Sequence, residues 1–301
     1  MEPLAAGPAE ASERHPRATR GAATVPATSS HLTAGHVLGD RRIRGLLFDY
    51  GLTLVTFERP DAALLASFGT IVQRLREAGV APVPEAETLL REVHDHIEVA
   101  VARHERAGHL EEIDLVGEER IAYARCGLHL PDQLLDEVVD LVQQAWWEGI
   151  RVPPGAVEVL GELRRSGVRI GLCSNAPYRS RSLHAQLEHL GLLDCFDSVT
   201  FSSEVGRRKP APEIFNAALD SLGVDAASCA MVGDRRREDV AGARAVGMAT
   251  IRTREHHDDP GPGDADLVID RLGDLVAVIR RQHEDGRRGS VGTDTESGHR
   301  R

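Results

Sequence analysis

Apolar positions along this chain follow two different rhythms, and the change between them divides it. The run Ile43-Arg44-Gly45-Leu46-Leu47-Phe48 stops abruptly at Asp49, the pattern of a buried strand with a carboxylate at its C-terminal tip. From 61 to 78 the spacing changes: Leu64, Leu65, Phe68, Ile71, Val72 and Leu75 share one helical face. Further helical stretches are predicted over 86–106, 111–126 and 132–148, with breaks at Gly108, Gly127 and Pro131. No strand signal interrupts them, so 58–150 is expected to be an all-helical insertion, or cap.

After Pro153-Pro154-Gly155 the chain alternates. Helices at 155–166, 179–190, 212–222 and 239–246 lead to strands at 168–173, 198–201, 229–232 and 248–251. A last strand at 267–269 precedes a helix at 272–281. Such alternation predicts a Rossmann-like α/β core, a parallel sheet flanked by helices, built from 43–57 and 151–281. Residues 1–40, rich in Ala, Gly, Pro, Ser and Thr, and residues 282–301, rich in Gly, Ser and charge, lack apolar periodicity and read as disordered tails.

Composition narrows the classes. With 41% apolar and 28% charged residues the chain reads as soluble and globular. No apolar run approaches the roughly 20 residues that span a bilayer. The N-terminus lacks a secretory apolar segment, and Glu2, Glu10 and Glu13 argue against a transit peptide. Cys126, Cys173, Cys195 and Cys229 have no CxxC spacing and read as reduced core thiols, so a cytoplasmic location is expected. A net charge of -11 argues against nucleic acid as a partner.

Ligands of parallel sheets bind beyond the carboxyl ends of the strands, so the residues that follow strands matter most. Asp49 can serve as nucleophile or metal ligand, or simply cap a turn. Ser174-Asn175 can cradle a phosphate at a helix start, or act as an ordinary N-cap. Gly233-Asp234 with Asp239 five residues on can place one acid on a metal and the other behind it; capping is again the plainer alternative. Lys209 is the only lysine in a chain whose 36 basic residues are otherwise arginine. A compact ammonium fits beside one phosphoryl oxygen and a carboxylate where a guanidinium fork does not.

Together, Asp-x-x-x-Thr-Leu after the first strand, Ser-Asn after the second, Lys-Pro before a helix and Gly-Asp-x4-Asp resemble the haloacid dehalogenase-like hydrolase superfamily. The likeness covers 43–281, and the helical insertion resembles that family's C1 cap. The resemblance implies a nucleophilic Asp49 that forms an aspartyl-phosphate. It also implies Mg2+ held by Asp49, Asp234 and the backbone carbonyl of Gly51. Ser174, Asn175 and Lys209 would bind the phosphoryl group, and Asp239 would hold Lys209 or a water of the metal's shell. The expected substrate is a small phosphorylated metabolite, with neither nucleic acid nor membrane as partner.

The first motif departs from the family's Asp-x-Asp-Gly-Thr-Leu, for it reads Asp49-Tyr50-Gly51-Leu52-Thr53-Leu54. Gly51 replaces the second Asp, the group that protonates the leaving oxygen, and Leu52 stands where Gly or Asn is usual. Two alternatives follow: a non-catalytic binding or regulatory descendant, and a C-halogen hydrolase, which the intact Gly233-Asp234 disfavours.

Other features point less clearly. His94, His96, His104 and His109 read as solvent-exposed, with replacement of the missing acid as the minor alternative. Trp146 and Trp147 read as packing between insertion and core, and second as a substrate wall. Most of Arg207, Arg208 and Arg235–Arg237 are expected to face solvent, with a preference for anionic substrates at a phosphate mouth as the alternative; His256, His257, Asp258 and Asp259 are expected at the surface.

Overall fold

The computed structural model describes residue 38, residues 41–261 and residues 263–290. In chain order the elements are β1 (Gly45–Phe48), β2 (Thr56–Phe57), α1 (Asp61–Glu77), α2 (Ala86–Leu89), α3 (His96–Ala107), α4 (Leu115–Arg125) and α5 (Asp132–Ala145). They continue with β3 (Ile150–Arg151), α6 (Ala156–Arg165), β4 (Arg169–Ser174), α7 (Ser180–His189), β5 (Ser198–Phe201), α8 (Ser202–Val205) and α9 (Pro212–Leu222). The last are β6 (Cys229–Gly233), α10 (Gly242–Ala245), β7 (Ala249–Thr253), β8 (Leu267–Ile269) and α11 (Asp274–Ser290).

Six strands form one parallel sheet in the order β5-β4-β1-β6-β7-β8. Successive side chains of a strand point to opposite faces, and here both faces are covered. Leu46, Phe48, Ile170, Leu172, Ala230 and Val232 enter one apolar cluster together with α6 and α11. Leu47, Cys173, Cys229 and Met231 enter another with α9 and α10. That double burial is why the strands read as unbroken apolar runs. The chain moves from β1 to β4 and β5 on one side, then crosses to β6 on the other. The point of reversal therefore lies beside β1, where a crevice opens past the strand ends.

Helices α1 to α5 carry a third core of their own, built on Phe68, Ile71, Leu75, Leu89, Tyr123 and Leu135. The short strands β2 and β3 pair antiparallel at the two ends of this segment. The stretch predicted as one helix over 86–106 is broken by a wide π-helical turn at Leu90–Asp95. The helix expected from 111 starts at Leu115, because Asp114 caps it by accepting from Gly117 N. The residues before it pair with the core instead: Arg208 N donates to Leu110 O and Glu112 N to Gly206 O.

Both predicted tails fall mainly outside the described residues. Leu38 is the exception at the first, buried in the sheet's core. At the second, α11 continues to Ser290, past the expected end at 281, through a stretch without proline.

Candidate active site

Three neighbouring strands deliver the central groups. Asp49 follows β1, Ser174 ends β4 and Asp234 follows β6. Lys209 arrives from the loop between α8 and α9, and the Asn175 side chain fixes its position by accepting from Lys209 N at 2.7 Å and donating to Lys209 O at 3.1 Å. The Lys209 ammonium donates to Asp49 Oδ1 at 2.7 Å and to Asp239 Oδ1 at 2.5 Å. Ser174 Oγ donates to the same Asp49 oxygen at 2.9 Å. Among the described residues no protein donor reaches Asp49 Oδ2, which leaves that oxygen available. Asp239 stands on a π-helical turn, Arg236–Ala241, and its Oδ2 accepts from Arg235 N at 2.9 Å. Its carboxyl lies so close to the backbone of Gly233 that a Cβ there would come within 2.3 Å of it. Glycine is required at that place.

Burial sets the electrostatics. It drives the Lys209 ammonium towards neutrality, but Asp239 and Asp49 outweigh it and hold the pKa above the usual lysine value. Burial also pushes the Asp239 carboxyl up against the pull of Lys209, with Asp49 and Asp234 adding to the push. Asp234 is raised by burial first and by Asp49 second, while His257 opposes the rise. Carboxylate oxygens of Asp49, Asp234 and Asp239 lie within 4.8 Å of one another. One ammonium cannot balance three such acids. A hard divalent cation fits this all-oxygen donor set.

The centre opens into a cavity of about 400 Å³ between the strand ends and α3, α5 and α7, lined by Tyr50, Phe57, Glu98, Gln143, Trp146 and Tyr178 among others. Of these groups only Trp146 carries a signal in the sequence, through its place at the end of the helical insertion. The two tryptophans divide the two expected roles. Trp146 lines the cavity, whereas Trp147 stacks on His189 of α7 with ring centroids 4.7 Å apart.

Several expectations of solvent exposure fail. His94 is buried and accepts from Trp146 Nε1 at 3.1 Å, and none of the four clustered histidines lines the active-site cavity. His94 belongs to the π-helical turn at Leu90–Asp95. Arg208 is buried between Glu105 and Glu112, each at 2.7 Å, because the insertion closes over it. In the loop after β7 Asp258 is exposed as expected while it pairs with the buried Arg252 at 2.7 Å; His257 is half-buried, with its Nδ1 2.7 Å from Asp234 Oδ2. His257 lies on the loop after β7, where the strand-end criterion points once it is carried to that strand.

A family profile described as haloacid dehalogenase-like hydrolase matches residues 43–247. A ribulose-1,5-bisphosphate 5-phosphatase of Halopiger xanaduensis is 36% identical over 46% of this chain and 62% of its own length. A glyceraldehyde 3-phosphate phosphatase of Methanopyrus kandleri is 27% identical over 81% of this chain and the whole of its own. The chain thus spans about three fifths of the first relative's length. A 2-haloacid dehalogenase from Pseudomonas syringae shares the fold, at a TM-score of 0.58 and 22% identity over 79% of this chain and 99% of its own.

Proposed function

Because the chain belongs to the haloacid dehalogenase-like hydrolases, we propose that it hydrolyses a small phosphomonoester through an aspartyl-phosphate on Asp49. One observation carries the reading: Lys209 and Ser174 both donate to Oδ1 of Asp49 and leave Oδ2 free. An ammonium and a hydroxyl converging on one carboxylate oxygen also converge on the phosphoryl oxygens that come to lie beside it. That is the charge stabilisation phosphoryl transfer needs.

Asp49 attacks phosphorus in line, the ester P–O bond breaks, and the leaving oxygen departs and takes its proton from solvent. Water then attacks the acyl phosphate and returns Asp49 and inorganic phosphate. Lys209 and Ser174 hold phosphoryl oxygens through both steps. Asp239 keeps Lys209 charged and in place, and Asn175 fixes the Lys209 backbone. Asp49, Asp234 and the Gly51 carbonyl would hold Mg2+, which when bound neutralises charge on the transferring group. No carboxyl at position 51 protonates the leaving oxygen. Help of that kind is worth about 10²–10⁴ in rate, so slow turnover of poor leaving groups is expected. The helical segment 58–150 serves as a cap that selects the substrate and excludes water.

The relatives' names, a ribulose bisphosphatase and a glyceraldehyde phosphate phosphatase, support small phosphorylated metabolites as the substrate class. Among the described residues no helix is long and apolar enough to cross a membrane. The test is phosphate release from a panel of phosphometabolites with and without Mg2+, for wild type and Asp49→Asn. Release that needs Mg2+ and vanishes in Asp49→Asn supports the reading. Background release throughout favours a binding module instead.

A further inference from the structure

Two acids of the centre each have one oxygen tied and the other left. Lys209 and Ser174 hold Oδ1 of Asp49 and leave Oδ2. At Asp234 the tie comes from the loop after β7, where His257 Nδ1 lies 2.7 Å from Oδ2. An ionised carboxylate can only accept, so the imidazole carries a proton on Nδ1 and donates it to this bond. Among the described residues the other hydrogen-bond partner of Asp234 is Thr53, whose Oγ1 stands 3.5 Å from Oδ1. That length is at the limit of a hydrogen bond and leaves Oδ1 lightly held.

The contact does not rest on the histidine alone, for the loop is anchored on both sides of it. Glu255 Oε2 accepts from Leu272 N at 2.7 Å, and Asp258 pairs with the buried Arg252 at 2.7 Å. Asp259 accepts from Arg236 twice, its Oδ2 from the backbone N and its carbonyl from Nε, each at 2.8 Å. Arg236 stands two residues after Asp234, so the loop that carries His257 is tied to the segment that carries the acid.

We propose that His257 is a positioning residue for a divalent cation: by holding Oδ2 of Asp234 it turns Oδ1 to the cation. The inference rests on the cation site of the proposed function and adds a residue outside the ligand set of Asp49, Asp234 and the Gly51 carbonyl. A hydrogen bond of this kind fixes the orientation of a ligating carboxylate before the cation arrives, so less ordering is lost on binding. Thr53, on the other oxygen and farther away, does not supply that restraint.

The experiment titrates chelator-treated wild type, His257→Leu and His257→Asn with Mg2+ and with Mn2+, by calorimetry for Kd and by thermal unfolding for Tm. Leucine fills the space and removes the donor. Asparagine keeps an N–H donor at the δ position, where Nδ1 of the imidazole stands. Kd for Mg2+ is expected to rise about tenfold to a hundredfold in His257→Leu and to stay within about threefold of wild type in His257→Asn. The rise in Tm that the cation brings should shrink in the leucine variant and return in the asparagine variant. His257→Ala repeats the comparison should leucine prevent folding.

A lowered Tm with Kd unchanged makes His257 a structural residue and overturns the assignment. A loss that His257→Asn fails to restore overturns it too, because the donated hydrogen bond is then not what matters. A much larger loss for Mn2+ than for Mg2+ makes the imidazole a ligand itself, since its nitrogen suits transition metals, and overturns the positioning role. Wild type that binds neither cation removes the cation site, and this inference with it. Phosphate release from 4-nitrophenyl phosphate by the same proteins answers the phosphatase reading separately. Cation binding that depends on His257 in a protein without turnover keeps the inference and removes that reading.

Discussion

Phe57 stands where a side chain at position 51 would point: a Cβ on Gly51 would meet Phe57 Cε2 at 2.9 Å. The Phe57 ring packs edge-on against Tyr50, 6.1 Å between centroids, and is 47% exposed, so it can swing away. Gly51→Asp should therefore be accommodated and should restore a proton donor to the leaving oxygen. Phosphate release from alkyl esters is expected to rise by about tenfold or more. 4-Nitrophenyl phosphate, whose leaving group needs no proton, should change little. Adding Phe57→Ala should enlarge the gain. If neither protein shows a gain selective for poor leaving groups, position 51 is not where this chain lost an acid.

Lys209 is buried with its ammonium shared between Asp49 and Asp239. Lys209→Met leaves those carboxylates without their cation, and removing one member of a buried ion pair costs about 3–5 kcal/mol. Lys209→Arg keeps the charge, but a planar fork cannot replace a point donor between two acids. The arginine variant should lose less stability than the methionine variant in urea denaturation and as much activity. Near-wild-type phosphate release by Lys209→Arg would refute the need for a compact ammonium.

The strands and the residues at their tips were legible because two covered faces demand unbroken apolar runs, which stop where a polar group begins. Asp49, Ser174 and Asp234 stood out for that reason. Lys209 stood out by composition. Other features leave no such trace. Strands β2 and β3 are two residues each, too short for any period to register. Gln143 and Glu98 lie on helices whose spacing records only the apolar face, so their place in the wall of the cavity that holds Asp49 is a product of tertiary structure. Leu52 was marked as unusual from sequence, and the structure supplies the reason: its φ is 57°, a left-handed conformation that a side chain strains and glycine or asparagine accepts.

Glu119 on α4 illustrates a buried ion pair that costs more than it returns. Arg179 donates to both its oxygens, at 3.0 and 2.9 Å, yet burial outweighs the arginine and raises its pKa to about 7. A carboxyl raised in the folded state stabilises the fold fully below its unfolded pKa, and that contribution is lost as pH climbs through the folded value. The window is thus from about 4.5 to about 7. Wild type and Glu119→Gln should be alike at pH 4.5, and the variant should be more stable by roughly 3 kcal/mol at pH 8. Denaturant titrations of both at the two pH values measure this; a constant difference would mean that Glu119 does not titrate in the window.

Asp234 joins the metal question to the charge of the centre. Its carboxyl is raised by burial and by Asp49, so without a cation its ionised form works against folding. Asp234→Asn should then be more stable than wild type in a chelator-treated sample. The advantage should open as pH rises from the ordinary aspartate range and close in acid, where both side chains are neutral. Mg2+ reverses the order if Asp234 holds it. Wild type gains about 2.7 kcal/mol at a concentration of 100 Kd, and the asparagine variant gains much less. Thermal unfolding of both proteins across a Mg2+ titration reads this without any turnover. Equal Mg2+ shifts in the two proteins would place the cation elsewhere.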